Sequence, residues 1–506
     1  MLRTICRYRS VSVLFAAIAG WTASAPVRAV EFDVRLDPAV AKEPVSGRLY
    51  VFLTRDPKKE PRGGIGWFDP EPFFGLDVKA MQPGATCRID DSADGFPGKL
   101  SKLAPGHYRA QALLAHNFQW AEQGNAPGNQ YSSVVDIDVA AGSEPTVAPV
   151  TVPLVLDQIV PEKTWPDISW IKQVAIESPL LSKFHHRRVM EYAGVVLPAG
   201  YDEHPDRRYP VIYEVTGFGG TYWQVVTTRK PKAPPTPGPG ETDFIRVTLD
   251  GQCLWGHHCY ADSPVNGPRG QALVSELIPE IDRRFRTVAN AKGRFVTGHS
   301  SGGWSSLWLQ VTYPDTFNGV WSTSPDPVDF RDFQLIDLYA DPPLNMFTDP
   351  QGNRRPIARR GAVPAVWYEN FSRMDDVLKY GGQLRSFEAV FSPADANGEP
   401  RKLWDRQTGR IDPEVAKAWR PYDIGLRLQN NWPDLAPRLR GKLHIATGSL
   451  DTFYLNGAVE KLAETLKRLG SDAQITIVPG ADHGRVRTPD YIHQMNREAT
   501  ARYEEK

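Results

Sequence analysis

At 506 residues the chain is longer than one ordinary core supports, because domains run to about 100–200 residues, so two or three units are expected. Its 59 Lys and Arg balance 59 Asp and Glu, which gives no charge-driven reason to expect a nucleic-acid partner or an anionic membrane surface. Partners have to be read from a site.

The chain opens with Arg3, Arg7 and Arg9 ahead of an apolar run over residues 11–19, with no acidic residue nearby. This is the pattern of a secretory signal, expected over residues 1–29 with Val27-Arg28-Ala29 as its small-x-small cleavage site. The run is well short of the roughly 20 residues a bilayer span needs. A soluble protein, secreted or periplasmic, is expected, without stable membrane insertion. Beyond the signal stand Cys87, Cys253 and Cys259. Export permits a disulfide, and Cys253 with Cys259 could staple the loop Gly251-Gln252-Cys253-Leu254-Trp255-Gly256-His257-His258-Cys259. The spacing matches no zinc pattern, so no metal is expected.

Residues 30–156 alternate apolar and polar side chains in short bursts, at 32–36, 47–53, 108–114, 133–139 and 147–155, with turn residues between. Period-two alternation indicates half-buried antiparallel strands and an all-β domain, expected as an immunoglobulin-like sandwich. Trp67, Phe68, Phe73, Phe74 and Trp120 either line a sugar-binding face there or fill core and domain interface. Residues 157–177, with Pro161 and Pro166, read as a linker to a second domain over 178–506.

From there the rhythm changes. Strand patterns at 195–197, 211–215, 244–249, 294–297, 319–322, 443–447 and 474–478 are interleaved with helical patterns at 269–285 and 455–469. Such alternation predicts a mostly parallel, doubly wound α/β sheet covered on both faces. Residues 326–440 are too long for an ordinary connection and are expected to form a cap insertion.

Gly298-His299-Ser300-Ser301-Gly302 lies between the strand at 294–297 and a helix through 304–310. A sharp strand-to-helix turn of this kind lifts a serine hydroxyl above the sheet edge, and small residues must flank it. Centring on Ser300 places Gly298 and Gly302 at the flanks, whereas centring on Ser301 would place His299 there, so Ser300 is the candidate nucleophile. The helix N-terminus adds a field that favours developing negative charge.

A serine needs a base, and after such an elbow the acid and the histidine follow in that order. Asp451 follows the strand at 443–447, and His483, in Pro479-Gly480-Ala481-Asp482-His483-Gly484, follows the next strand at the same sheet end. Asp326 and Asp329 are alternative acids after the preceding strand. His444 sits inside a strand, His257 and His258 precede the serine, and Asp482 adjoins His483 too closely to turn back on it. The loop Thr216-Gly217-Phe218-Gly219-Gly220 follows the strand at 211–215. It offers the Phe218 N–H as an oxyanion donor beside that of Ser301, and the Gly-Lys-Ser/Thr sequel of a phosphate loop is absent.

Tyr209-Pro210-Val211-Ile212-Tyr213, the Gly-Phe-Gly-Gly loop, Gly298-His299-Ser300-Ser301-Gly302-Gly303 and the spaced Asp451 and His483 together resemble the esterase D-type family of α/β-hydrolases, which includes enterochelin, feruloyl and acetylxylan esterases. The resemblance spans about residues 178–502. It implies an α/β-hydrolase fold and hydrolysis of acyl esters by a Ser-His-Asp triad without a cofactor. The oxyanion loop departs from the His-Gly-Gly forms common in hydrolases, and the long insert departs from compact members. Trp223, Trp255, Tyr260 and Trp304 lie near the catalytic loops in sequence and either form an aromatic acyl or sugar pocket or pack in the core. Export favours an ester substrate linked to carbohydrate. Transfer of the acyl group to a sugar hydroxyl, peptide hydrolysis, and non-catalytic binding on the same scaffold are the competing functions. Nothing in the sequence fixes an oligomeric state.

Overall fold

The computed structural model describes residues 30–117, 119–139 and 149–505; the expected export signal lies outside them. Between Val30 and Ile159, nine strands belong to one hydrogen-bonded sheet. Val30–Leu36 pairs in parallel with Val150–Ile159, and Val45–Thr54 pairs antiparallel with Gly106–Ala115 and Phe73–Met81. The short strand Gln130–Ser132 bonds to both Gly106–Ala115 and Val150–Ile159 and so joins the two groups. Phe32 and Val34 share one buried core with Leu49, Val51 and Leu114, which lie several strands away along the sheet. The sheet therefore folds over on itself, and its hydrogen bonding is continuous where an immunoglobulin sandwich has two separately paired sheets.

Alternation also supplies a second apolar face. Tyr50, Phe52, Phe73 and Leu113 turn away from that core and join the one that runs through the rest of the chain. Arg48, almost fully buried, bonds Asp77 at 2.8 Å and Asp94 at 2.7 Å and donates to the Val377 carbonyl at 2.8 Å. The Tyr50 hydroxyl donates to the Leu378 carbonyl at 2.5 Å. Both carbonyls lie in the last turn of a helix of the insert, where a cation is favoured.

The second sheet has eight strands: β1 (Ile171–Glu177), β2 (Met190–Val196), β3 (Val211–Val215), β4 (Ile245–Leu249), β5 (Arg294–His299), β6 (Val320–Thr323), β7 (Leu443–Gly448) and β8 (Gln474–Val478). Their order is β1-β2-β4-β3-β5-β6-β7-β8. The first two pairings are antiparallel and the rest parallel, which is the α/β-hydrolase arrangement. The span expected as a linker is strand at both ends, because the first sheet runs on to Ile159 and β1 begins at Ile171. As an edge strand, β1 carries polar Lys172 and Gln173, which masked its alternation.

The insert leaves after β6. It holds a hairpin, Pro356–Arg360 with Val363–Trp367, followed by the helices Tyr368–Leu378, Gln383–Phe391 and Pro413–Trp419. It does not act only as a cap: its last helix, Ile424–Leu439, packs on Ser301–Thr312 beside the sheet, with the Arg427 guanidinium over the Trp308 ring. Among the described residues, no helix is long and apolar enough to cross a membrane.

Candidate active site

β5 ends at His299 and α1 (Ser301–Thr312) begins two residues later, which leaves Ser300 alone on the turn. Its φ of 59° and ψ of −125° lie where side-chain-bearing residues are strained. A Cβ on Gly298 would sit 2.0 Å from the Gly302 carbonyl oxygen, and one on Gly302 would sit 2.1 Å from that of Val215. Neither flank can carry a side chain. The turn is held by the Ser300 N–H donating to Thr323 at 3.0 Å and by its carbonyl accepting from Trp304 at 3.0 Å.

His483 opens a short turn after β8. Its Nδ1 lies 2.8 Å from Asp451 Oδ2. Asp451 is fully buried, and its other oxygen accepts the N–H groups of Phe453 at 2.9 Å and Leu455 at 3.3 Å. A carboxylate satisfied in this way fixes the imidazole with Nδ1 as donor and Nε2 as acceptor. The insert reaches this loop through Arg359, which donates to the Asp451 carbonyl at 2.9 Å. The His299 ring packs 4.6 Å from that of His483, and burial pushes its pKa down to about 3, so it stays neutral.

The loop after β3 is tied to itself by Gly220 N–H to the Gly217 carbonyl at 2.9 Å and by the Thr216 hydroxyl to the Gly220 carbonyl at 3.0 Å. A Cβ on Gly217 would stand 3.6 Å from that of Ser300, so the loop lies against the elbow. Among the described residues, no hydrogen bond uses the amide of Phe218 or of Ser301. Beneath them, His257 Nε2 lies 2.9 Å from the Thr216 carbonyl oxygen, and its Nδ1 accepts the Cys259 N–H at 3.0 Å. Burial lowers its pKa to about 4.

Of the alternative acids, Asp329 is engaged by Arg331. Asp326 is buried and accepts the Ser301 hydroxyl at 2.5 Å. Burial raises its carboxyl to about 6. Asp482 caps the Gly484 N–H at 3.2 Å, and His444 stacks on Trp321 inside the fold.

Ser300 and His483 line one cavity of about 330 Å³. Its walls come from four places: Trp67 and Phe68 of the first sheet's loops, Phe218, the insert's Phe371 and Phe387, and Phe453 beside Asp451. None of the four aromatics near the loops in sequence lines it. Trp304 is buried and stacks on Trp308 at 5.2 Å. Tyr260 is buried and donates to the Asp250 carbonyl at 3.0 Å. Trp255 packs against Tyr380 beneath Arg385. Trp223 lines a separate, polar cavity with Glu191 and Arg269. Proximity in sequence misleads here because α1 and the loop after β4 bury Trp304, Trp255 and Tyr260, while the turn after β3 carries Trp223 to the separate cavity. The cysteine staple is also absent, since Cys253 and Cys259 are both free thiols and Cys259 contacts His257.

Residues 268–499 match the family model described as putative esterase. Two curated esterases, from the CDC 1551 / Oshkosh and H37Rv strains of Mycobacterium tuberculosis, are each 32% identical over 162 residues, a stretch that covers 29% of this chain and 32% of theirs. The chain thus spans about a third of the length of these relatives. Among solved structures, a ferulic acid esterase is similar at 14% identity and TM-score 0.40, covering 66% of this chain and 98% of its own. An S-formylglutathione hydrolase from Agrobacterium tumefaciens is similar at 13% identity and TM-score 0.38, covering 67% and 98%. The matched segment is the one that carries the elbow, Asp451 and His483.

Proposed function

We propose that this chain is a serine carboxylic-ester hydrolase in which Ser300, His483 and Asp451 act as a triad. The observation that carries this reading is the 2.8 Å bond from His483 to the buried Asp451, made by an imidazole that shares one cavity with a serine on a strained strand-to-helix turn. In the mechanism, His483 Nε2 takes the proton of Ser300 as its oxygen attacks the ester carbonyl. The carbonyl oxygen becomes an oxyanion held by the amides of Phe218 and Ser301, which no other group engages among the described residues. Collapse of this intermediate breaks the bond to the alcohol, which leaves with the proton from His483. Water then gives up a proton to His483 and attacks the acyl-enzyme, releasing the acid and restoring Ser300.

No step needs a cofactor. Export directed by residues 1–29 would place this activity in the periplasm or outside the cell, on esters met there. The test is labelling with a fluorophosphonate followed by peptide mass mapping. The adduct is expected on the peptide containing Ser300 and lost in Ser300→Ala; an adduct retained by that variant would refute the assignment.

A further inference from the structure

The segment between the strands Val45–Thr54 and Phe73–Met81 of the first sheet crosses to the second domain and places Trp67 and Phe68 in the cavity that holds Ser300. Trp67 contacts one ring from each of the other walls. Its centroid lies 5.5 Å from Phe218 in the loop after β3, 5.2 Å from Phe371 in the insert and 5.7 Å from Phe453 beside Asp451. Ring pairs at these separations, edge-on or tilted, are mutually attractive. Trp67 and Phe218 also line a second cavity of about 200 Å³ between the two domains. A side chain with open space on two sides is a partition; a core filler is packed on every side. The insert fastens the segment from outside, with Arg360 4.9 Å over the Phe68 ring and 3.4 Å from Asp69.

The charged groups of the catalytic cavity are already engaged. Arg229 pairs with Glu214, and Asp326 accepts from Ser301. Beside the amides of Gln224, Gln334 and Gln383, burial of apolar and aromatic surface is what the remaining walls offer a ligand.

Resting on the esterase reading, we propose that Trp67, with Phe68, is a specificity-determining wall supplied by the N-terminal domain, and that it selects esters whose acyl group is uncharged and aromatic or bulky and apolar. The wall and the chemistry can be tested separately. In the full-length Ser300→Ala protein, Trp67→Ala is expected to weaken equilibrium binding of methyl 3-phenylpropanoate about 10-fold, and Trp67→Phe by less than about 3-fold, in line with the loss of apolar pocket contacts. With Ser300 present, Trp67→Ala and Phe68→Ala should each lower the ratio of kcat/KM for the 3-phenylpropanoyl over the acetyl ester of 4-nitrophenol, by about 10-fold for Trp67. Unchanged binding and an unchanged ratio would overturn the proposal. So would an equal fall on both esters in both variants, which would make Trp67 a support for the Phe218 loop. A wild type that hydrolyses neither ester would defeat the esterase reading while leaving the binding result to decide the wall.

Discussion

Asp451 takes three donors on its two oxygens: the His483 ring on one, and the amides of Phe453 and Leu455 on the other. In Asp451→Asn the amides keep an acceptor, but the side-chain NH₂ facing His483 cannot accept from Nδ1, so the ring is driven to the tautomer whose Nε2 carries the proton. Steady-state kinetics should show kcat lower by about 10³–10⁴-fold with KM little changed; a kcat within a few-fold of wild type would mean that the imidazole is not oriented from this position. That Ser300, Asp451 and His483 each follow a strand of the same sheet is legible from chain order and strand pattern, without any tertiary contact. The partner of Asp326 was not legible. Its distance along the chain fitted an acid for the histidine, whereas the folded backbone turns its carboxyl onto the Ser301 hydroxyl. Trp67 was legible only as an aromatic of uncertain use, because its neighbours come from three distant segments.

The hairpin Gln252–Cys253 with Gly256–His257 and the residues after it work as one element beneath the loop after β3. A Cβ on Gly251 would fall 2.0 Å from His257 Nε2, so this glycine makes room for the ring that reaches Thr216. From sequence the Cys-His-His-Cys pattern suggests a stapled loop, because sequence carries no mark of a bond to a distant backbone carbonyl. With its pKa near 4, the ring stays neutral over the usual working range and donates from Nε2. His257→Ala leaves the Thr216 carbonyl and the Cys259 amide without partners, at a cost of about 1–3 kcal/mol, measurable by denaturant unfolding. It also frees the loop carrying the Phe218 amide, and kcat should fall by about 10-fold or more. Loss of stability with unchanged kcat would show that the loop holds its place without this bond.

At the scale of the molecule, the two sheets are joined by a common core and by a polar cavity that Asn117 and Trp120 of the first domain line together with Glu191 and Asp250 of the second. The change from period-two to helical periodicity marks the two sheets, but their dependence on each other is not readable, because the apolar face carrying Tyr50 and Phe52 looks the same whether it meets its own sheet or another. Burial pushes the Glu191 and Asp250 carboxyls up to about 7. Between pH 4.5 and 7 the folded protein therefore holds a proton on Glu191 that the unfolded chain releases, and stability from this group falls as pH rises, by about 3 kcal/mol in all. With the ionisable group removed in Glu191→Gln, the unfolding free energy at pH 8 minus that at pH 5 should be about 2–3 kcal/mol more positive than the same difference in wild type. Denaturant unfolding at the two pH values reads it directly, and an unchanged difference would place the carboxyl in contact with solvent.

In the proposed reaction one hydroxyl, on the turn between β5 and α1, performs the attack. Turnover of a 4-nitrophenyl ester series of increasing acyl length by wild type and Ser300→Ala tests it most directly. The variant should lose at least about 10³-fold in kcat/KM on every ester that the wild type hydrolyses. Equal rates for the two proteins would contradict it.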